Sequence, residues 1–180
     1  MSSSHKANRA GKEGELMWED HLKKEGHKVL RSDDVRGDVN LYWDLETDSG
    51  IRYEVKYDLS AYDYYHKRPD QTCPNLFIEC WSTVRNEPSG LYSSLGEADI
   101  FVYIMKRTDK EGRHLGNYAY SFWLEPFLVW VETQDKMKGL RKVSCSNKGD
   151  NNAKGWLVGE ELVNENKIHN GYINKIELGK

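Results

Sequence analysis

The chain has 180 residues, of which 38% are hydrophobic and 31% charged, and its formal net charge is −3. This length and balance fit a globular protein with its own core and exclude wholesale disorder. The small net charge excludes a basic coat over the whole surface, but it is compatible with a local basic patch.

The domain organisation, the lack of a long apolar segment or secretory signal, and the cysteines together predict a single-domain intracellular protein. Residues 1–8 have the polar composition of a flexible N-terminus, and we expect a single domain over residues 9–180. No apolar run approaches the roughly 18 residues that span a bilayer, and a secretory signal is lacking, so we expect no membrane partner. The cysteines, which are Cys73, Cys80 and Cys145, are odd in number and lack zinc-ligand spacing, so we expect free thiols.

The first predicted element is a helix near the N-terminus. From Arg9 to Glu25 the sequence is rich in Glu, Lys, Leu and Met, which favours a helix that Gly26 ends. Glu15 and Leu22 fall on a common stripe of this helix, so an acid borders its apolar side.

A short strand in "HKVLRS" precedes a predicted β-hairpin whose arms are joined by the turn "TDSG". In the first arm, apolar and polar residues alternate from Val39 to Leu45, and Asp38 stands at its start. In the second arm, "IRYEVKYD", Glu54 and Lys56 share one face because successive side chains alternate. Antiparallel pairing brings Asp38 toward this face. Taken alone, the two charges in the second arm are explained more simply by an ion pair across the strand face.

The remaining elements alternate strands and helices. Residues 60–73 predict a polar and aromatic loop in which Pro69 breaks any helix. Strands are predicted in "NLFIECWSTV", in the apolar run "DIFVYIM" and in "YAYSFWL", and a helix in "EPFLVWVETQDKM". The C-terminal part adds "GWLV", a short helix in "GEELVNEN", and "GYINKIEL". The pattern predicts an α/β fold.

Two stretches carry local positive charge. Residues 136–154 hold six Lys or Arg residues, Lys148 among them, against a single acid. Residues 62–68, "YDYYHKR", combine Tyr rings with Lys67 and Arg68. Both compositions suit contacts with the backbone and bases of nucleic acid. Both fit ordinary solvated loops equally well.

The polar residues of the helix and hairpin resemble a known active-site pattern. The stretches "GKEGELMWEDHL", "RGDVNLYWDL" and "IRYEVKYD", over about residues 10–58, are similar in order and spacing to the PD-(D/E)xK nuclease superfamily. Gly37 stands where the proline of the family's name is expected. Of the helical acids Glu13, Glu15 and Glu19, we select Glu15, because "GxxGE" leads into the helix in many relatives. "SGLYSSLGEADIFVYI" and "KGDNNAKGWLV" resemble small stand-alone members from phages and viruses.

The resemblance implies a restriction endonuclease-like core, with a central mixed β-sheet flanked by helices. It implies a DNA endonuclease, either general or structure-selective as in junction resolution, that depends on Mg²⁺ or Mn²⁺. It also implies a cytoplasmic location in a bacterium or an infected host cell. Several such enzymes cut two strands as dimers, so a homodimer is a further prediction.

The resemblance also assigns roles to individual residues. The catalytic residues implied are Glu15, Asp38, Glu54 and Lys56. Asp38, Glu54 and the main-chain carbonyl of Val55 hold the metal, and Glu15 completes its shell directly or through water. We expect Lys56 to be buried beside the metal, where it contacts the scissile phosphate and orients or helps to deprotonate the attacking water.

Other assignments stay open at this point. Lys67, Arg68 and Lys148 are candidates for contacts with DNA, and Glu79 is either a further metal ligand or a surface acid. The main alternative function is a nucleic-acid-binding module of the same fold that does not hydrolyse its ligand. A third is a hydrolase of another substrate, or an interaction domain, in which the acids form ion pairs.

Overall fold

The computed structural model of the chain describes residues 3–35, 41–83, 85–137, 139–146, 152–164 and 171–179. Two predicted site residues, Asp38 and Lys148, lie outside these ranges. Within them the chain is an α/β protein with ten strands in two sheets and five α-helices. No helix in the described ranges is both long and apolar enough to cross a bilayer.

The elements are numbered in chain order. The helices are α1 Ser3–Lys24, α2 Ala61–His66, α3 Leu91–Ser94, α4 Leu124–Lys136 and α5 Glu160–Asn164. The strands are β1 Val29–Arg31, β2 Leu45–Thr47, β3 Arg52–Asp58, β4 Asn75–Ser82, β5 Glu87–Pro88, β6 Ile100–Thr108, β7 His114–Trp123, β8 Arg141–Ser146, β9 Asn152–Gly159 and β10 Tyr172–Leu178.

The two sheets differ in their strand directions. The larger sheet has the described strand order β1-β2-β3-β6-β7-β10, and it is mixed because β3 and β6 run parallel while its other neighbours are antiparallel. The smaller sheet has the described order β5-β4-β9-β8 and is antiparallel. Residues 59–99, which connect β3 to β6, contain β4 and β5, so this long crossover supplies part of the smaller sheet.

Helix α1 covers one face of the larger sheet. Its apolar stripe, which includes Trp18 and Leu22, packs on the side chains of β3 that alternate inward. Helix α1 approaches β3 so closely that a Cβ atom at Gly14 would lie 2.6 Å from Cβ of Tyr57. The helix starts earlier than the predicted Arg9 and ends at Lys24, just before the predicted stop at Gly26, whose φ of +95° favours glycine.

The second core lies between the two sheets. Phe101, Tyr103 and Met105 of β6 point into it from the larger sheet, because they alternate with Val102 and Ile104, which face α1. The smaller sheet and α4 close this core with Leu76, Ile78, Trp156, Val158, Phe127, Leu128 and Val131. Burial of each large side chain here stabilises the fold by roughly 1.5–3 kcal/mol.

Two local predictions are wrong, each for an identifiable reason. In the first hairpin arm, whose start at Val39 lies outside the described residues, residues 41–44 are not a strand and β2 begins at Leu45, because Asp44 bonds to β3 through its side chain as well as its backbone. The predicted loop over residues 60–73 contains α2, and Pro69 follows the helix without interrupting it. The basic stretch, whose structure was left open, contains β8, which pairs with β9 along its length.

Candidate functional site

Strand β3 presents Glu54 and Lys56 on the face that points away from α1. The predicted alternation is confirmed, because Tyr53, Val55 and Tyr57 are buried on the α1 side. Glu54 is partly buried, whereas Lys56 is exposed. The expected burial of Lys56 is therefore wrong.

The partner strand of β3 is short in the described part of the chain. There, β2 pairs with β3 at Arg52 and Tyr53 and then stops. From Glu54 onward, no strand among the described residues pairs with β3 on that side.

Asp44 occupies the position directly before β2, beside Tyr53 and Val55 of β3. Its backbone N–H donates to the carbonyl of Tyr53 at 2.8 Å, and its Oδ2 accepts a hydrogen bond from the N–H of Val55 at 2.7 Å. The N–H and C=O of one strand residue point to the same edge. The carbonyl of Val55 consequently lies on the side of the strand that Asp44 occupies.

The carboxylates of Asp44 and Glu54 disfavour each other's charge. Burial raises the pKa of Glu54 to about 8, with the negative charge of Asp44 as the next cause. Burial likewise raises the pKa of Asp44 to about 6, with further increases from the charges of Glu15 and Asp33. The Val55 N–H and the charge of Arg31 oppose this rise in the pKa of Asp44. A divalent cation would relieve the repulsion between the two acids.

Glu15 approaches the pair from α1, but its carboxylate is bound to Arg31. Its Oε2 lies 2.6 Å from Nη2 of Arg31, and Nη1 of the same guanidinium lies 2.8 Å from Oε2 of Glu19. Burial raises the pKa of Glu15, and Arg31 partly offsets this rise. Glu15 therefore contributes negative charge near Asp44 and Glu54 while making an ion pair of its own.

The donor set fits a hard divalent cation with few protein ligands. In the parts of the chain that the structure describes, no three acidic, His or Cys side chains converge closely enough to hold a metal ion. Asp44, Glu54 and the Val55 carbonyl offer two carboxylates and one neutral oxygen. Mg²⁺ commonly binds one or two carboxylates and keeps several waters, so this set is compatible with it.

Two of the predicted DNA-contacting residues, Lys67 and Arg68, lie on the segment that follows β3, whereas Lys148 lies outside the described residues. Asp58 ends this strand, and its Oδ1 accepts hydrogen bonds from the N–H groups of Ser60 at 2.8 Å and Ala61 at 3.1 Å, which fixes the start of α2. Lys67 and Arg68 follow the end of α2 and are exposed. Tyr64 on the same helix exposes 63% of its surface.

Sequence reasoning missed two residues that contact the β3 acid or its strand. Asp44 was grouped with the polar residues of the first arm, and its position ten residues before Glu54 was the available signal. Ser94, at the end of α3, lies near the Glu54 carboxylate and opposes the rise in its pKa. No local pattern marks Ser94, because it reaches Glu54 through the long crossover.

Comparisons with known proteins do not assign a function to this chain. The chain gives no significant match to a protein-family model, to a curated protein or to a solved structure.

Proposed function

We propose that the chain is a nuclease that uses Mg²⁺ or Mn²⁺ to hydrolyse phosphodiester bonds of DNA. The observation that carries the proposal is that Asp44, bound to the N–H of Val55, lies close enough to Glu54 for its charge to raise the pKa of Glu54, while the exposed Lys56 shares a strand face with Glu54. Two acids with raised pKa values and an adjacent amine match what a metal-dependent phosphodiesterase needs.

The fold supports the same proposal at a coarser level. Helix α1 is followed by the antiparallel strands β1, β2 and β3, and β6 then adds in parallel next to β3. This order is compatible with the restriction endonuclease-like core, a helix followed by a mixed sheet flanked by helices. We therefore propose that α1 and the larger sheet form a restriction endonuclease-like core.

Each residue of the site has a role in this proposal. Asp44, Glu54 and the Val55 carbonyl hold the metal ion, and Asp38 remains a predicted further ligand. A bound ion stabilises the charge that develops on the phosphate oxygens. Glu15, held by Arg31, would add negative charge near the ion.

Lys56 acts on the substrate instead of the metal. Its exposed ammonium donates hydrogen bonds to the scissile phosphate and orients the attacking water. Hydrolysis joins the water oxygen to phosphorus, breaks the bond to the leaving oxygen, and returns a proton to that oxygen. The positions of Lys56 and Glu54 on one strand face let the amine and the metal ligands engage the same phosphate.

A second candidate is a DNA-binding module that does not hydrolyse its ligand. The binding of Glu15 by Arg31 favours it, as does the small number of acids that converge within the described ranges. Such a module would use Lys56 and the exposed cations after α2 to bind the phosphate backbone. It predicts binding without cleavage under every metal.

The test is cleavage of supercoiled plasmid, single-stranded DNA and branched DNA, with Mg²⁺, Mn²⁺ or EDTA. The nuclease proposal predicts metal-dependent cutting that falls at least about 100-fold in Asp44→Asn, Glu54→Gln and Lys56→Ala. Preference for branched DNA would identify a structure-selective enzyme.

Matched controls separate the site from general charge effects. Glu46→Gln changes an acid on the neighbouring strand β2 that pairs with Arg52, and Lys28→Ala removes an exposed lysine. Both are expected to cut DNA like the wild type. DNA binding without cutting contradicts the nuclease proposal and supports the binding module. A Glu54→Gln variant that binds and cuts DNA like the wild type rejects this site.

A further inference from the structure

The smaller sheet has an outer face that points away from the core between the two sheets. Ile78 of β4 and Trp156 of β9 are buried in that core. Because side chains alternate along a strand, Phe77 and Leu157 point to the opposite side of these two strands. Both are partly exposed, and within the described residues neither packs into either core.

The described helices lie against other faces of the sheets. Helix α1 packs on the larger sheet. The other four contribute to the core between the sheets, through Tyr62 of α2, Leu91 of α3, Phe127 of α4 and Val163 of α5. The outer face of the smaller sheet therefore carries apolar side chains that these helices do not bury.

A row of side chains crosses three strands of this outer face. Phe77 pairs with Leu157 in the register of β4 and β9, and Leu157 pairs with Arg141 in the register of β9 and β8. Directly paired residues point to the same side of a sheet. The row therefore runs from an aromatic ring on β4 to an exposed guanidinium group on the edge strand β8, roughly 10 Å away.

The ring of Phe77 lies over a glycine of the neighbouring strand. A Cβ atom at Gly155 would lie 2.7 Å from Cε2 and 2.8 Å from Cζ of Phe77, so the ring occupies the space of the missing side chain. The backbone of β9 thus supports the ring from below. Its partly exposed side is left for a planar partner.

The charge of the smaller sheet changes sign from one edge to the other. Glu79 on β4 shares the outer face with Phe77, and its Oε1 accepts the hydroxyl of Ser89 at 2.6 Å. Strands β8 and β9 contain no acid, and their basic residues Arg141, Lys142 and Lys154 are exposed. In the described part of the chain, Arg141 makes no ion pair. A polyanion bound to this face would therefore follow the β8 side.

We propose that the outer face of the smaller sheet binds a single-stranded segment of DNA, with a base stacked on Phe77 and a phosphate held by Arg141. The inference deepens the proposed function because it takes DNA as the ligand, but it makes no use of the metal site. Aromatic rings that stack on bases, together with cations that follow the backbone, are what binding to single strands requires. Bases in a duplex are already stacked and paired, so this face selects single strands.

The experiment measures binding to the intact chain by fluorescence anisotropy in EDTA, with a labelled single strand and with the duplex of the same sequence. We expect Phe77→Leu to weaken binding of the single strand about 5–100-fold and binding of the duplex less than about threefold, because leucine offers no ring. Phe77→Tyr keeps the ring and should bind the single strand within about threefold of the wild type. Trp123→Leu, which removes an exposed ring of the larger sheet, is the matched control.

Arg141 is tested through the salt dependence of the same binding. Arg141→Gln should lower the slope of log K against log salt for the single strand by about 0.7, the value for one phosphate contact. Arg113→Gln, which changes an exposed arginine between β6 and β7, is the control and should leave the slope unchanged. Circular dichroism verifies that each variant is folded.

The outcomes distinguish this inference from the proposed function. Phe77→Leu that binds the single strand like the wild type, or that loses single-strand and duplex binding equally, overturns the stacking role, whether or not the wild type cuts DNA with Mg²⁺. If the wild type self-associates in sedimentation velocity, Phe77→Leu does not, and neither binds the single strand, the face is an interface between copies and the inference is overturned. Ring-dependent binding of the single strand in EDTA, without cleavage under any metal, supports this face and rejects the nuclease.

Discussion

Asp44 and Glu54 link proton binding to the stability of the protein. Their pKa values are raised to about 6 and about 8, mainly by burial, so in the folded state they retain protons that the unfolded chain releases. The stabilisation that these two groups contribute is fully present below the pKa values that they have in the unfolded chain. It is lost as the pH rises through their pKa values in the folded protein. Without metal, the free energy of unfolding is therefore expected to fall between about pH 5 and pH 8.

Glu54→Gln removes the larger part of this pH dependence. We expect the variant to be more stable than the wild type by about 1–3 kcal/mol at pH 8 and to differ little at pH 4, because glutamine carries no charge at either pH. Urea unfolding in EDTA at both pH values measures the difference. Glu46→Gln is the control, and an equal gain in that variant would mean that the effect is not specific to the acid pair.

At the residue level, the sequence predicted the strand face but not the partner acid. The alternation of Glu54 and Lys56 with Tyr53 and Val55 followed from the period of a strand, and the structure confirms it. Asp44 could not be selected, because the alternation in the first arm breaks there. Trp43 and Leu45, two residues apart, lie in different cores, and a sequence pattern does not show such a break.

The contact between α1 and β3 depends on a glycine in the middle of the helix. We expect Gly14→Ala to destabilise the protein by about 1–3 kcal/mol, because the added methyl group would lie 2.6 Å from Cβ of Tyr57. Gly11→Ala is the matched change on the same helix, where the nearest atom is 4.0 Å away. There alanine should stabilise the helix by about 0.5–1 kcal/mol.

Urea unfolding at one pH compares the two alanine variants directly. A destabilised Gly14→Ala beside a stabilised Gly11→Ala confirms that close packing, and not helix propensity, explains Gly14. Equal stabilisation of both variants would contradict the close contact between α1 and β3.

The end of α2 is the element predicted to contact the phosphate backbone. In a Glu54→Gln background, which the proposed function expects to be unable to cut DNA, Lys67→Glu with Arg68→Glu should weaken DNA binding and lower the slope of log K against log salt by about 1–2. Fluorescence anisotropy with a labelled oligonucleotide at several salt concentrations measures both. Lys24→Glu with Lys28→Glu, at the C-terminal end of α1 and just beyond it, is the control, and an equal loss there would remove the special role of α2.

Elements with a clear hydrophobic pattern were predicted well, whereas elements with mainly charged, polar or aromatic residues were missed. The apolar run of β6 and the helix α4 were recognised because burial on both faces and a helix-starting proline leave clear patterns. Strand β8 was missed because its basic residues conceal a strand that pairs with β9. Helix α2 was missed because its polar and aromatic composition has no apolar stripe.

The topology of the whole molecule lay beyond prediction from the chain's local patterns. The parallel pairing of β3 with β6 and the division into two sheets depend on contacts between segments far apart in sequence. Strand periodicity says which face is buried but not which strand is the neighbour. An α/β fold could be predicted, whereas the position of β4 in the smaller sheet could not.

The long crossover has a consequence for synthesis on the ribosome. Glu54 leaves the exit tunnel early, together with α1 and the hairpin. The sheet that carries Glu79 is completed by β9, which ends at Gly159. A growing chain therefore displays Glu54 and Lys56 of β3 well before the smaller sheet is complete. The core between the two sheets, which includes Trp156 and Val158 of β9, should form late, after most of the polypeptide has emerged.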